Sequence, residues 1–418
     1  MSVIRAGFGR ALLSGGGYLH ALRLLEGRHW RAIGSSCRHF SVGPYPWDVI
    51  ERRCRRLESF RKRLIRPPCQ SFVVDGKVYS LPVRAQDPSG DSEHAQNSVL
   101  DYFAGFFDGD GCVSSSRSFG NRSLQMYQAE NNVAVLVRFM KQFGGGIYKG
   151  SSVKGSHQCC FRWELSGERA RGAASLLRRA SVVKREQLDL LVSEAPTCPL
   201  HRGRLASTLR SLKREAPGPC HDVSWGYVAG FFDAEGCIQI KPYTQVHLKV
   251  SQKYEEPLIC IKRLIERTFP GVDASLVQNR SGHYQLCVSR TASSFAVLEQ
   301  LLNSGLAGKK QQAILAMSLN RSNFARIRDS LSELKGNQSR WKLLDAAGCE
   351  RAMHIHNART RLNSRAGQDR PDSDFASLQG ELYTLNSEHK LRNAERRLAM
   401  LRWDIRSLLR QGARLSAG

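Results

Sequence analysis

Apolar positions crowd into two short stretches that resemble each other. One runs Leu100-Asp101-Tyr102-Phe103-Ala104-Gly105-Phe106-Phe107-Asp108-Gly109-Asp110-Gly111, the other Trp225-Gly226-Tyr227-Val228-Ala229-Gly230-Phe231-Phe232-Asp233-Ala234-Glu235-Gly236. Each reads as an apolar helix that ends in two acids and a glycine. After each, apolar and polar residues alternate with the period of two that marks half-buried strands. The first half predicts strands at Val113–Phe119 and Ser123–Gln128, a helix at Asn132–Phe143, strands near Ile147–Ser152 and His157–Leu165, and helices at Glu168–Ala180 and Val182–Glu194. The second predicts strands Ile238–Tyr243 and Gln245–Ser251, helix Pro257–Phe269, strands near Ala274–Gln278 and His283–Ser289, and helices Ser293–Leu302 and Lys309–Leu319. Both halves follow the order α-β-β-α-β-β-α, with an extra closing helix.

Strand Gln245–Ser251 shows the alternation best. Val246, Leu248 and Val250 belong to one face, and Gln245, His247, Lys249 and Ser251 to the other. An antiparallel sheet with one polar, partly basic face is shaped to lie in a DNA major groove. The repeat also holds at polar positions. Asp110 precedes Lys184 by 74 residues, as Glu235 precedes Lys309; the same acids precede Gln187 and Gln312 by 77. Gln128 and Gln252 follow the acids at 18 and 17 residues, a mismatch that a shorter hairpin turn explains.

Acids at a helix C-terminus oppose the helix dipole, which favours cations there. Because the violation recurs in the same context, the carboxylates are wanted at that spot. Gly105 with Gly109, and Gly230 with Ala234, are four residues apart, so the two helices can approach closely. Side by side, they bring Asp110 and Glu235 together. Paired carboxylates repel unless a cation intervenes, and Mg²⁺ takes oxygen ligands from one or two carboxylates plus phosphate and water. The pattern points to metal-dependent phosphodiester hydrolysis.

Charge supports this direction. The chain has 418 residues, with 63 Lys+Arg against 37 Asp+Glu, a net charge of +26. Such an excess suits a polyanion; no apolar run reaches membrane-span length, so the expected partner is nucleic acid and not a membrane. The 12 cysteines show no zinc-finger spacing; Cys198 with His201 and Cys220 beside His221 come nearest. They read as unpaired residues of a reducing compartment. Residues 1–40 carry Arg5, Arg10, Arg23, Arg28, Arg31 and Arg38 against Glu26 alone, the composition of an organellar transit peptide, mitochondrial with plastid as the alternative. Residues 41–96 read as a basic extension, with a helix at Trp47–Leu64, a short strand within Ser71–Leu81 and a polar linker from Gln86. Residues 326–418 read as a charged helical region with a flexible link at 360–375. There Leu391, Ala394, Leu398, Leu401, Ile405 and Leu408 recur at 3 and 4 spacing, which suits a helix packed on its own protein.

The two motifs, with their paired Lys-x-x-Gln, resemble those of single-chain, two-motif LAGLIDADG homing endonucleases. Phenylalanines replace the aliphatic letters. The likeness covers about residues 98–325, with halves at 97–205 and 206–325. It implies an α+β fold: a pseudo-symmetric, duplicated αββαββα domain with two antiparallel DNA-binding sheets. The implied activity is sequence-specific cleavage of both strands of double-stranded DNA by a monomer. In that family the last acid of each motif binds Mg²⁺ or Mn²⁺, a role that carries onto Asp110 and Glu235, while Asp108 and Asp233 hold the helix ends. Lys184 and Lys309 match its basic residues, and Gln128 and Gln252 its polar ones, so the expected catalytic set is Asp110, Glu235, Lys184, Lys309, Gln128 and Gln252. Strand parity nominates Ser114, Ser116, Gln125, Gln239, Lys241, His247 and Lys249 as DNA-facing, with Lys149 and Arg162 added. Some family members assist intron splicing as RNA maturases, which makes intron RNA the alternative partner.

Overall fold

The computed structural model describes residues 46–85, 97–115, 122–150, 159–193, 198–219, 222–241, 245–335, 346–365 and 373–416. The segment read as a transit peptide lies outside them, as do Ser116 and most of the polar linker. The described residues divide between two compact units, one within residues 65–337 and the other built from residues 46–64 and 346–416.

Helix α1 (Pro46–Arg63) carries Asp48 in its first turn and Arg61, Lys62 and Arg63 in its last, which suits the helix dipole. After β1 (Leu64–Ile65) comes a hairpin of β2 (Ser71–Val74) and β3 (Lys77–Ser80). Asp75 and Gly76 turn it, both at positive φ (50° and 75°), as a tight two-residue hairpin requires. Strand β4 (Val83–Arg84) follows. The first copy of the repeat is α2 (Asn97–Asp110), β5 (Gly111–Ser115), β6 (Arg122–Ala129), α3 (Val133–Phe143), β7 (Gly146–Lys149), β8 (Cys160–Ser166), α4 (Glu168–Leu177) and α5 (Arg185–Val192). Helix α6 (Pro199–Leu212) leads to the second copy: α7 (Trp225–Glu235), β9 (Gly236–Lys241), β10 (Gln245–Gln252), α8 (Glu256–Thr268), β11 (Ala274–Gln278), β12 (Tyr284–Val288), α9 (Thr291–Asn303) and α10 (Lys310–Met317). Helix α11 (Phe324–Lys335) completes the unit. The α-β-β-α-β-β-α order is thus present twice, and the fold is α+β.

Each copy builds one antiparallel sheet. The second has the order β11-β12-β10-β9 and the first β4-β7-β8-β6-β5. The extra strand comes from the stretch read as an extension. Val83 pairs with Ile147 and Arg84 with Gly146, and Ala85 N–H donates to Gly145 O at 3.0 Å. The preceding hairpin docks through Phe72, whose buried ring lies 5.0 Å from that of Phe161. Cys69 is joined to Cys159 in a disulfide, and Cys260 is disulfide-bonded as well. This corrects the reading of the cysteines as unpaired. Cys69 and Cys159 are 90 residues apart, a separation that leaves no local pattern to read.

One face of each sheet meets helices and forms the core. Val113, Leu124, Met126, Phe161 and Trp163 are fully buried in the first half, and Ile238, Val246, Leu248, Leu258 and Leu298 are buried in the second. The Trp163 indole N–H satisfies itself on Gly144 O at 2.9 Å, at the glycine break after α3. The expected buried row of Val246, Leu248 and Val250 is present.

In the other unit, α12 (Ala346–Arg365) and α13 (Ser373–Arg410) form a helical hairpin, followed by β13 (Arg414–Leu415). Helix therefore occupies both ends of the stretch read as a link at 360–375. Ala394, Leu401, Ile405 and Leu408 of the 3-and-4 stripe are buried. Leu408 and Ile405 cluster with Leu57, Phe60 and Leu64. Arg397 on Glu58 (2.8 Å) and Arg61 on Asp404 (2.7 Å) flank this seam between α1 and α13. The stripe packs on its own chain.

Candidate active site

Helices α2 and α7 lie against each other at backbone distance. A Cβ added to Gly105 would stand 2.0 Å from Tyr227 O, and one on Gly230 would stand 1.9 Å from Tyr102 O. One turn further on, a Cβ on Gly109 would meet the Ala234 methyl at 2.3 Å. The contact is reciprocal and leaves no room for side chains. It brings the two C-terminal ends, and so Asp110 and Glu235, together.

The earlier acid of each motif anchors the loop that delivers a lysine. Asp108 accepts from Ser181 Oγ (2.5 Å) and from the backbone N–H groups of Val182 (2.6 Å), Val183 (2.9 Å) and Lys184 (3.0 Å). Asp233 accepts from those of Ala307 (2.7 Å), Gly308 (2.8 Å) and Lys309 (2.7 Å). A carboxylate facing free N–H groups at the start of α5 or α10 is favourably placed. Each also takes a phenol from the opposite motif: Tyr227 OH donates to Asp108 and Tyr102 OH to Asp233, both at 2.8 Å. Burial, with the carboxylate alongside, pushes both phenols well above their usual range, so they stay protonated donors. These tyrosines were absent from the sequence-derived set, although both occupy the same position of the repeat.

Lys184 Nζ donates to Phe107 O (2.9 Å) and also to Asp108 O; Lys309 Nζ donates to Phe232 O (3.0 Å) and to Asp233 O. The ammonium groups therefore sit on the carbonyls that a helix C-terminus leaves unpaired. They are the cations that the dipole favours there, so the acids at the helix ends are electrostatically balanced. Gln128 Nε2 donates to Asp110 Oδ2 at 2.7 Å, and Asn132 Nδ2 holds Gln128 Oε1 at 2.8 Å. Gln252 Nε2 donates to Glu235 Oε1 at 3.1 Å. All six residues expected as catalytic thus converge on the two helix ends.

Protein atoms crowd both carboxylates, yet each keeps a solvent-facing surface. Burial raises Asp110, with Gln128 and then the two lysines opposing. Glu235 is raised to about 7, by burial first and by the Asp110 charge second, against Lys184, Lys309 and Gln252. Burial in turn lowers both lysines, and the surrounding carboxylates counter it. Among the described residues no group of three or more His, Cys, Asp or Glu side chains is assembled for a metal. The donor set is a pair of oxygen ligands, which fits a hard divalent cation that completes its shell with phosphate and water.

A pH dependence follows. Folded Glu235 holds its proton up to about pH 7, whereas the unfolded chain releases it near the ordinary glutamate value of 4.5. Between those values only the folded state binds the proton, so stability falls as pH rises. In metal-free protein this loss, discounted for the open side of the carboxylate, is on the order of 1 kcal/mol. Thermal melts between pH 5 and 8 should show the decline, and Glu235→Gln should flatten it. A pH-independent wild-type midpoint would contradict it.

The polar sheet faces carry most of the nominated DNA-facing residues. In the first half, Ser114 Oγ bonds Ser123 Oγ at 2.7 Å, Gln125 bonds Glu164 at 2.9 Å, and Arg162 pairs with Glu164 at 3.0 Å. Lys149 differs: it pairs with Phe161 and shares the parity of buried Ile147, so Tyr148, opposite Arg162, takes the polar row. In the second half, Gln239 lies opposite His247, Lys241 opposite Gln245, and Lys249 opposite Cys237. His247 was expected to face DNA but is only 6 % exposed. Burial, with Lys241 and Lys249 nearby, lowers it to about 4, so it is neutral at pH 7. Two further lysines reach the innermost row. Lys213, just after α6, donates to Cys112 Sγ at 3.3 Å, and Lys335, ending α11, donates to Ile238 O beside Cys237. The two lysines fall 103 and 100 residues after the acids, out of register, so the repeat could not reveal them.

No protein-family model matches the chain, and no curated protein matches it. Solved structures do. The LAGLIDADG meganuclease I-AabMI bound to uncleaved DNA is 15% identical, with a TM-score of 0.44 over 57% of this chain and 99% of that one. I-GzeII in complex with its DNA target is 11% identical (TM-score 0.42; 58% and 98% covered), and I-LtrWI bound to target DNA 16% (0.40; 57% and 96%). The chain resembles the LAGLIDADG homing endonucleases. Helices α2 and α7 carry the two sequence motifs, and strands β5 and β9 of the two sheets start directly after the carboxylates at their ends.

Proposed function

We propose that the chain is an endonuclease for double-stranded DNA that uses a divalent metal, Mg²⁺ or Mn²⁺, held by Asp110 and Glu235. The observation that carries this is the convergence, at the ends of two helices in backbone contact, of two carboxylates, each with a glutamine on one oxygen and flanked by lysines. When bound, such a cation activates water and neutralises charge on the scissile phosphate. The chain's own groups prepare the site. Gln128 and Gln252 each fix one carboxylate oxygen and leave the other for a metal. Lys184 and Lys309 lie on the helix-end carbonyls; their charge opposes the upward push that burial gives both carboxylates. Duplex DNA would lie along the polar sheet faces, with Ser114, Gln125, Arg162, Gln239, Lys241 and Lys249 toward its edges and backbone.

Cleaved sites selected from a randomised duplex library in Mg²⁺ test this reading. Wild type should yield double-strand breaks at a recurring sequence. Asp110→Asn and Glu235→Gln should still bind that sequence but each nick only one strand. Unimpaired cutting of both strands by both variants would disprove the two-carboxylate mechanism. Tight binding of intron RNA with no DNA cleavage at any metal concentration would replace it with the splicing-helper reading.

A further inference from the structure

The unit formed by residues 46–64 and 346–416 has no part in the chemistry above, yet it carries an unusual surface. Residues 396–416 contain six arginines and one acid, Asp404. Asp404 is turned to the α1 seam, where it pairs with Arg61. Helix α12 runs back along the N-terminal half of α13, with Arg361 on Glu381 and Arg365 on Asp374. Among the described residues, the last three turns of α13 bury Leu401, Ile405 and Leu408. On the side away from these, Trp403, Arg406 and Arg410 stand at i, i+3 and i+7, a single stripe. Trp403 is 66 % exposed, and both arginines are exposed. Among the described residues nothing pairs with Arg406 or Arg410.

We propose that this stripe binds single-stranded nucleic acid, with the Trp403 indole stacked on an unpaired base and Arg406 and Arg410 on the neighbouring phosphates. An indole held out in water beside free guanidinium groups matches a ligand that offers a π-face and negative charge together. At 1.5 Å per residue, Arg406 stands about 4.5 Å and Arg410 about 10 Å along the helix from Trp403, within reach of the backbone on one side of a stacked base. A closed duplex hides its base faces, so its phosphates would engage the arginines and leave the indole unused. A lipid surface fits less well. An interfacial helix inserts a broad apolar face, and the apolar face of α13 is already buried against α1. The proposal does not depend on the cleavage chemistry of the other unit.

Fluorescence anisotropy of the full-length protein tests it, with labelled 20-nucleotide single strands of RNA and of DNA, the corresponding duplex, and phosphatidylserine vesicles. Trp403→Ala should weaken single-strand binding about tenfold or more, and Trp403→Phe should keep most of it. The double variant Arg406→Gln/Arg410→Gln should lower the slope of log K against log salt by about 1.4 on single strands. Duplex affinity should move less than twofold with Trp403→Ala. Tighter binding of one single strand than the other identifies RNA or DNA as the source. The proposal is overturned if Trp403→Ala binds both single strands like wild type, if it weakens duplex equally, or if it loses vesicles while keeping oligonucleotides. Since Trp403 is exposed, none of these substitutions disturbs the core.

Discussion

Gly230→Ala is expected to destabilise the unit of residues 65–337 by about 3 kcal/mol or more, at the upper end of what overpacking costs. The added methyl would lie 1.9 Å from Tyr102 O and 2.8 Å from Phe106 N, and both are backbone atoms that no rotamer change can move. The two motif helices would have to separate along their length. Gly105→Ala should behave alike, since its methyl would meet Tyr227 O at 2.0 Å and Phe231 N at 2.9 Å. Separation would also spread Asp110 from Glu235. Gly172→Ala is the control: it lies in α4, where nothing is within 4 Å. There alanine should stabilise by about 0.5–1 kcal/mol. Urea midpoints for the three variants decide the matter. A wild-type midpoint for Gly230→Ala would show that the helices are not in backbone contact.

Asp108→Ala is the second large effect, with an expected cost of about 4 kcal/mol. One buried carboxylate satisfies five donors: the Ser181 hydroxyl, three successive backbone N–H groups and the Tyr227 phenol. Removing it strands them where water has little access, at about 1–3 kcal/mol for each donor that finds no substitute. Tyr227→Phe deletes a single bond and should cost about 1 kcal/mol. Beyond stability, Asp108 fixes the loop that carries Lys184, so its loss frees the ammonium that caps α2. Denaturant melts of Asp108→Ala, Tyr227→Phe and the double variant test the coupling. If the two single costs simply add, the phenol and carboxylate do not act together. Asp233→Ala should be nearly as damaging, with four donors stranded.

Asp108 and Asp233 also show how far the site was legible. Their rank as structural acids came with the family resemblance, and the structure supplies the reason: they hold the lysine loops. The lysines changed more. They were expected in the catalytic set by family match alone, and the structure adds that their nitrogens rest on helix-end carbonyls, because an ammonium 76 residues downstream of the gripping acid is brought back by the very loop that this acid holds. His247 looked like a groove-facing residue by strand parity. Parity assigns a face, whereas burial depends on neighbouring strands, and its place among Gln239, Lys241, Lys249 and Cys287 closes it off. Lys149 was misassigned for a related reason: a register is set by the partner strand, and one residue of shift changes the face.

By itself, the sequence determined the two motif helices, the repeated α-β-β-α-β-β-α order and the register of acid, lysine and glutamine. Those features are written in local periodicity or recur at fixed separation, and a duplicated chain states them twice. Only the tertiary structure decided what depends on distant neighbours: the edge strand Val83–Arg84, the Cys69–Cys159 disulfide, the exchange of Tyr102 and Tyr227 between the two helices, and the approach of Lys213 and Lys335. Such pairings join residues tens to more than a hundred positions apart, and packing of the whole unit, rather than any window of sequence, fixes them.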